Sequence, residues 1–387
     1  VDWRLTVLSL GAFAGSMESF VLPGLLPLIG ADLGISMSQT GYIVFAYSLA
    51  YAAAGPVLAS LFGPADRRRT LAGAEFVFGC SALFAAGMPT LALIIAGRLL
   101  LAGAAALFTS LAQATAIALA TTGFRGRAVS IVVTGSTVAI AVGAPLGTLL
   151  AAQFGWRVVY GFVGALALLA SAIMWLRLPS GIAAPRLSLR ERLGVARLDG
   201  MPAALLMTLL YMTGSSMATI YVAAISREVA GMPPAMLPVV LLANGLGAVS
   251  GGIVGGRLVD RLGPFPTFVI NAVSAIVVLI GVSALQLWPG VLLAPLWMAL
   301  AFLLGLLAWS LFASQVSLCA SLAPNAVPLA ASLNMSAVSA GAAMAALLGG
   351  AVIDQINAGA LGLVGAVPVL LALGIGVASR RVLLGAR

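Results

Sequence analysis

The 387-residue chain has no histidine and no lysine, two cysteines and ten acidic residues. Each shortage closes a class of chemistry. Without His, neither Ser-His-Asp nor Cys-His nucleophiles, HExxH zinc sites or the usual haem axial ligation can be assembled. Without Lys there is no Walker A phosphate loop, so the chain does not itself use ATP through that motif. Cys80 and Cys319 lie in separate apolar segments and suggest neither a disulfide framework nor a metal cluster; they read as small buried hydrophobes. Charged residues are only 7% of the chain, against about 25% in soluble domains, which excludes an ordinary cytosolic enzyme.

What is present is apolar. Hydrophobic residues make up 62% of the chain, enough for about twelve membrane helices of ~20 residues. Twelve apolar runs can be placed, near Leu5–Ile29, Gln39–Phe62, Thr70–Met88, Leu91–Thr121, Ala128–Ala152, Val158–Leu176, Pro202–Ala224, Leu237–Gly256, Phe265–Leu285, Val291–Leu318, Val327–Val352 and Ala360–Val377. The first is too long for a signal-peptide core, lacks cleavage-site character and carries Glu18, so it reads as a span. The chain starts at Val1 rather than Met, so a trimmed tail is expected.

All nineteen positive charges are arginines, and the pI is near 10.7. They lie between apolar runs rather than on one soluble face, which argues against nucleic acid as a partner. Sixteen fall in the loops on one side of the twelve runs, two (Arg157 and Arg227) on the other, and Arg98 inside a span. By the positive-inside rule both termini are expected in the cytoplasm of a bacterial-type inner membrane. The longest break, residues 178–200, separates six spans (1–177) from six more (201–387), and reads as a cytoplasmic linker with a surface-lying amphipathic stretch around Leu187–Leu198.

Two turns repeat at half the chain length. Phe62-Gly-Pro-Ala-Asp66-Arg67-Arg68-Arg69 follows the second run, and Gly256-Arg257-Leu-Val-Asp260-Arg261-Leu-Gly263 follows the eighth. This implies a duplicated six-helix unit. The expected fold is an all-α membrane protein with twelve transmembrane helices in two pseudo-symmetric six-helix bundles.

With those turns the sequence resembles the major facilitator superfamily, whose loop signature is Gly-x-x-x-Asp-Arg-x-Gly. The second copy matches well, while the first has Phe62 and Arg69 in place of glycines. Further fragments resemble the twelve-span drug:proton antiporters of the arabinose- and sugar-efflux type. They are Gly11 to Pro27 with Glu18, Arg98-Leu-Leu-Leu-Ala-Gly103, Arg125-Gly-Arg127, Gly143-Ala-Pro145-Leu-Gly147 followed by Gly155-Trp156-Arg157, and Ala331-Ser-Leu-Asn334 with Gly349-Gly350. The resemblance implies a secondary transporter that works by alternating access. It exchanges a small organic or amphipathic molecule for protons in the lipid bilayer, functions as one chain, and needs no cofactor or metal. A proton-coupled importer or a uniporter is the nearest rival. A membrane enzyme or the permease subunit of a larger complex is more distant.

Only Glu18 and Glu75 among the acids fall inside spans, where an ionised carboxylate must be paired, hydrated or protonated. Glu18 lies ~20 Å along its helix, at a depth Arg98 can reach from the opposite direction. Burial disfavours the charged carboxylate and a nearby cation favours it, so Glu18 is the candidate proton-coupling acid and Arg98 its modulator. A static ion pair is the alternative. Glu75, ~8 Å deep beside Arg67–Arg69, is expected in a gate-side salt bridge.

Asp66 and Asp260 are assigned near helix C-termini, where adjacent arginines offset an unfavourable macrodipole. By resemblance each faces a helix start in the other half, Asp260 towards Arg127 and Asp66 towards span eleven, forming a gate with Arg67, Gly256 and Arg261. Pro145 is expected to kink span five, flanked by Gly143 and Gly147. Candidate cavity residues are Met17, Tyr47, Gln113, Tyr211, Tyr221, Asn244, Trp309 and Asn334, the last two amides standing out because an amide in hydrocarbon needs a partner.

Overall fold

The computed structural model describes residues 3–120, 124–181, 194–287 and 293–384. Residues 187–193 of the expected amphipathic stretch lie outside the described residues. Twelve helices are long and apolar enough to cross a membrane. They are α1 (Arg4–Leu33), α2 (Met37–Phe62), α3 (Arg67–Gly87), α4 (Leu91–Leu119), α5 (Gly126–Phe154), α6 (Trp156–Arg177), α7 (Met201–Ile220), α8 (Pro234–Leu262), α9 (Pro264–Leu287), α10 (Leu293–Leu322), α11 (Pro324–Gln355) and α12 (Ala358–Ala378).

The expected runs match these helices, with α8 reaching six residues past its apolar core through Arg257, Asp260 and Arg261. Polar residues at a helix end do not stop it when its carbonyls stay hydrogen-bonded. The stop comes at Gly263, whose φ of +86° breaks the helix direction before Pro264 starts α9. Between α1 and α2 the turn is equally short. Ser36 Oγ accepts from Gln39 N at 3.2 Å while Gln39 Oε1 accepts from Ser36 N at 2.8 Å, a reciprocal cap that starts α2.

An even number of crossings puts Arg4 and Arg380 at the same end of the bundle, here called the termini face, opposite the distal face. The two six-helix bundles meet through α2 against α11 and α5 against α8, pairs that exchange under the internal repeat. Their close contacts run from the distal face to mid-depth. Ser38 Oγ donates to Asp354, a Cβ on Gly350 would lie 2.9 Å from Ser38 Cα, and one on Gly245 would lie 2.7 Å from Ile140 O. The deepest hydrogen bond between the bundles is Ser336 Oγ to Ala52 O at 2.9 Å. Beyond it, towards the termini face, no hydrogen bond or ion pair joins a described residue of one bundle to a described residue of the other.

Small residues permit these approaches. Gly247, Gly251 and Gly255 of α8 face the backbone of Phe302, Leu306 and Ser310 in α10, leaving no room for a side chain. In α5, Pro145 has no N–H for the carbonyl of Ala141. The helix accommodates this in a π turn over Ala139–Gly143, just before the proline. Gly143 and Gly147 then lie against Met17 and Val21 of α1.

Candidate functional site

The single bundle of α1 to α6 buries one charged cluster. Glu18 comes from the middle of α1 and Arg98 from the second turn of α4, and their exposures are 2% and 1%. Arg98 Nη1 donates to Glu18 Oε1 and, at 2.7 Å, to the hydroxyl of Tyr160 on α6. Tyr160 in turn donates to Glu18 Oε1 at 3.2 Å. The guanidinium lies 4.4 Å from the centre of the Tyr47 ring, a cation–π contact from α2, and Ser19 Oγ donates to the Tyr47 hydroxyl at 3.1 Å. Four helices therefore converge on one ion pair. Glu18 Oε2 and Arg98 Nε make no hydrogen bond, so the ion pair is not fully satisfied.

On the termini side of the contact between bundles lies a cavity of about 400 Å³, lined by α5, α8 and α10 and by none of the residues of this cluster. Val133, Thr137 and Ile140 of α5 line one wall, and Trp309, Phe312 and Val316 of α10 the other, with Gly252 of α8 between. Phe20, two residues after Glu18, puts its ring 6.3 Å from Trp309, so α1 meets one residue of the cavity wall. The lining is mostly apolar, suited to a solute recognised by ring and methylene contacts.

The other expected cavity residues are distributed differently. Met17 packs on Gly143 and Gly147. Tyr221 belongs to the distal contact: its hydroxyl donates to Ala346 O at 2.5 Å and presses on Gly41 of α2. Asn244 donates to Ala301 O at 2.9 Å, which ties α8 to α10. Gln113 is exposed on α4 and makes no hydrogen bond among the described residues. Tyr211 and Asn334 are fully buried in the second bundle, where Asn334 Oδ1 accepts from Thr208 at 2.8 Å. Gln315, equally buried and with neither amide atom bonded, lies one turn from Cys319, whose thiol faces Asn334 Oδ1 at 3.9 Å.

Two of these residues were not anticipated. Gln315 carries the signal that marked Asn334, an amide in an apolar run. Tyr160 carries none, since a tyrosine four residues from a helix start reads as an interface anchor.

At the termini face two expectations change. Asp66 lies before α3 rather than at a helix end, and caps it by accepting from Arg69 N at 3.0 Å. Its other oxygen accepts from Gly181 N at 2.5 Å, so it holds the segment after α6. That backbone hydrogen bond, and then those from the start of α3, keep its carboxyl below the usual carboxylate value. Asp260 is inside the last turn of α8, exposed, with Arg257 and Arg261 nearby and no ion pair among the described residues. Arg127 is exposed, Gly256 meets nothing within 4 Å, and Arg67 is buried with Nη1 unbonded. The gate contacts between the bundles are thus not made in this conformation.

Glu75 does not meet the arginines of its own helix. It is buried on the face that packs against Gly11, Phe108 and Met174, because Arg67–Arg69 lie at the first turn, two turns away. No group of three or more His, Cys, Asp or Glu residues among the described residues is arranged to hold a metal ion.

Twelve spanning helices in two bundles, with a cavity between them and a charged pair at mid-depth, are the architecture of a membrane transporter. The chain matches the Major Facilitator Superfamily over residues 8–325 and belongs to it. It is 29% identical to the uncharacterized MFS-type transporter YtbD of Bacillus subtilis, over 91% of this chain and 89% of that one. It is also 29% identical to a chloramphenicol resistance protein of Streptomyces lividans, over 89% of this chain and 87% of that one. Among solved structures the nucleoside transporter NupG superposes with a TM-score of 0.77 at 12% identity, covering 98% of this chain and 100% of that one. A bacterial homolog of the human lysosomal transporter Spinster, inward-facing and unoccupied, superposes at 0.72 with 15% identity, covering 100% and 98%.

Proposed function

We propose that the protein is a proton-coupled exporter of small amphipathic molecules, acting as a single chain in the bacterial inner membrane with its termini face in the cytoplasm. The observation that carries the reading is the buried Glu18–Arg98–Tyr160 cluster on a helix whose Phe20 meets Trp309 in the wall of an apolar cavity. A carboxylate at that depth is stable while Arg98 compensates it, and binds a proton when the arginine moves away. With one carboxyl oxygen and the guanidinium Nε unbonded, part of the pair's desolvation penalty is left uncompensated. A solute entering past Trp309 and Phe20 would displace α1 and so disturb the pair. In this reading the present conformation is inward-facing, with Tyr221, Gly41 and Ser38–Asp354 closing the periplasmic side. Asp66, Arg67, Asp260, Arg261 and Arg127 take gating positions only in the opposite state.

Export and an amphipathic substrate are supported by the chloramphenicol resistance relative. The test is chloramphenicol flux in proteoliposomes under an imposed pH gradient. Uptake into vesicles acidic inside is expected for the wild type, and only passive leakage for Glu18→Gln. Flux that ignores the gradient in the wild type, or survives at full rate in the variant, overturns the assignment and favours a uniporter.

A further inference from the structure

The first bundle contains a second buried carboxyl that the mechanism above does not use in this conformation. Glu75 is 2% exposed, its Oε2 has no hydrogen-bond partner, and it makes no ion pair among the described residues. Three helices close over it. From α1 comes Gly11, where a Cβ would lie 2.9 Å from Glu75 Oε1, 2.6 Å from Phe108 of α4 and 2.9 Å from Met174 of α6. The pocket is therefore apolar and tight enough to require glycine on α1.

Among the described residues no charge of the surrounding helices forms an ion pair with it. On α1 the nearest charged groups are Arg4 and Glu18, each seven residues from Gly11, ~10 Å along the axis. On α4 Arg98 is ten residues from Phe108. On α6 Arg177 is exposed one turn past Met174, while Arg157 and Tyr160 lie at the other end of that helix. On α3 itself Arg67, Arg68 and Arg69 are confined to the first turn. An ionised carboxylate in this pocket would lack both hydration and a counter-ion, which disfavours the charged form.

We propose that Glu75 is a second proton-binding site, distinct from Glu18 and occupied by a proton in this conformation. Gly11 and Glu18 lie on one face of α1, two turns apart, so the helix that pairs with Arg98 also forms the lid over Glu75. Movement of α1 that parts Glu18 from Arg98 exposes Glu75 at the same time. Its proton then leaves to water as the O–H bond breaks, and the carboxylate is hydrated. Its role rests on the proton-coupled reading, but its occupancy does not.

The test is infrared spectroscopy of the purified protein in detergent at neutral pH, which reads the carbonyl stretch of a protonated carboxylic acid without any transport. The band is expected in the wild type and in Glu18→Gln, and lost in Glu75→Gln. Should Glu75→Gln fail to fold, Glu75→Asp is expected to keep the band at a shifted frequency. A spectrum without the band, or one that Glu75 substitution leaves unchanged, overturns the inference. Failure of proton-driven flux in the wild type would instead overturn the coupling and leave this occupancy standing.

Discussion

Tyr160 donates its hydroxyl to Glu18 Oε1 across 3.2 Å, from a helix 142 residues away in sequence. The same oxygen accepts from Arg98, so the phenol bridges the two charges. Removing the hydroxyl with Tyr160→Phe keeps the ring against Trp156, 5.8 Å between centroids, and removes only the hydrogen bonds. A hydrogen bond to a charged group is worth about 2 kcal/mol, and a loss of that size is expected in thermal unfolding of the purified protein. An unchanged unfolding temperature would mean that the bridge contributes nothing.

The ion pair itself is open to a double-mutant cycle. Arg98→Met leaves Glu18 buried without its counter-charge and is expected to cost about 3–5 kcal/mol. Combining it with Glu18→Gln removes the uncompensated charge, so the double variant is expected to recover most of that loss. Additive losses in the cycle would show that the two side chains act independently.

Asp66 carries a pH dependence of known sign. Its carboxyl is held below its ordinary value of 3.8, so its stabilising contribution is complete above that pH and is lost as pH falls through the lower folded value. Asp66→Ala removes the α3 cap and the tie to Gly181, at about 1 kcal/mol. Unfolding temperatures of wild type and variant are expected to differ at neutral pH and converge in acid. A constant difference down to the acid limit would contradict this.

The distal closure depends on a glycine. A Cβ on Gly41 would collide with the Tyr221 hydroxyl and lie 2.9 Å from Ala346 O, so Gly41→Ala forces α2 from α11. Spin labels at the distal ends of α2 and α11 are expected to report a longer mean distance. Gly55→Ala, on the same helix where a Cβ meets nothing within 4 Å, serves as the control and is expected to leave the distance unchanged.

The physical limits of sequence reading are visible in single residues. Span positions were legible because helix length and apolarity are properties of contiguous residues, and Glu18 and Arg98 stood out because charge in hydrocarbon is costly wherever its partner lies. Asp66 was misplaced because the first repeat turn lacks its glycines. Its loop then runs through Gly63 and Pro64, and the acid starts α3 instead of ending α2. Glu75 was given the wrong partner because proximity along a helix does not reveal which face turns inward.

From sequence alone came the class of protein: twelve apolar spans, a duplicated half and two acids in the membrane, all dictated by the cost of placing backbone and charge in hydrocarbon. The tertiary structure decided which helices meet. It brought Tyr160 to Glu18, enclosed Glu75 beneath Gly11, set Tyr221 in the distal contact and placed the cavity among α5, α8 and α10. Those choices depend on helix rotation and close approach of backbones, set by packing among residues far apart in the chain.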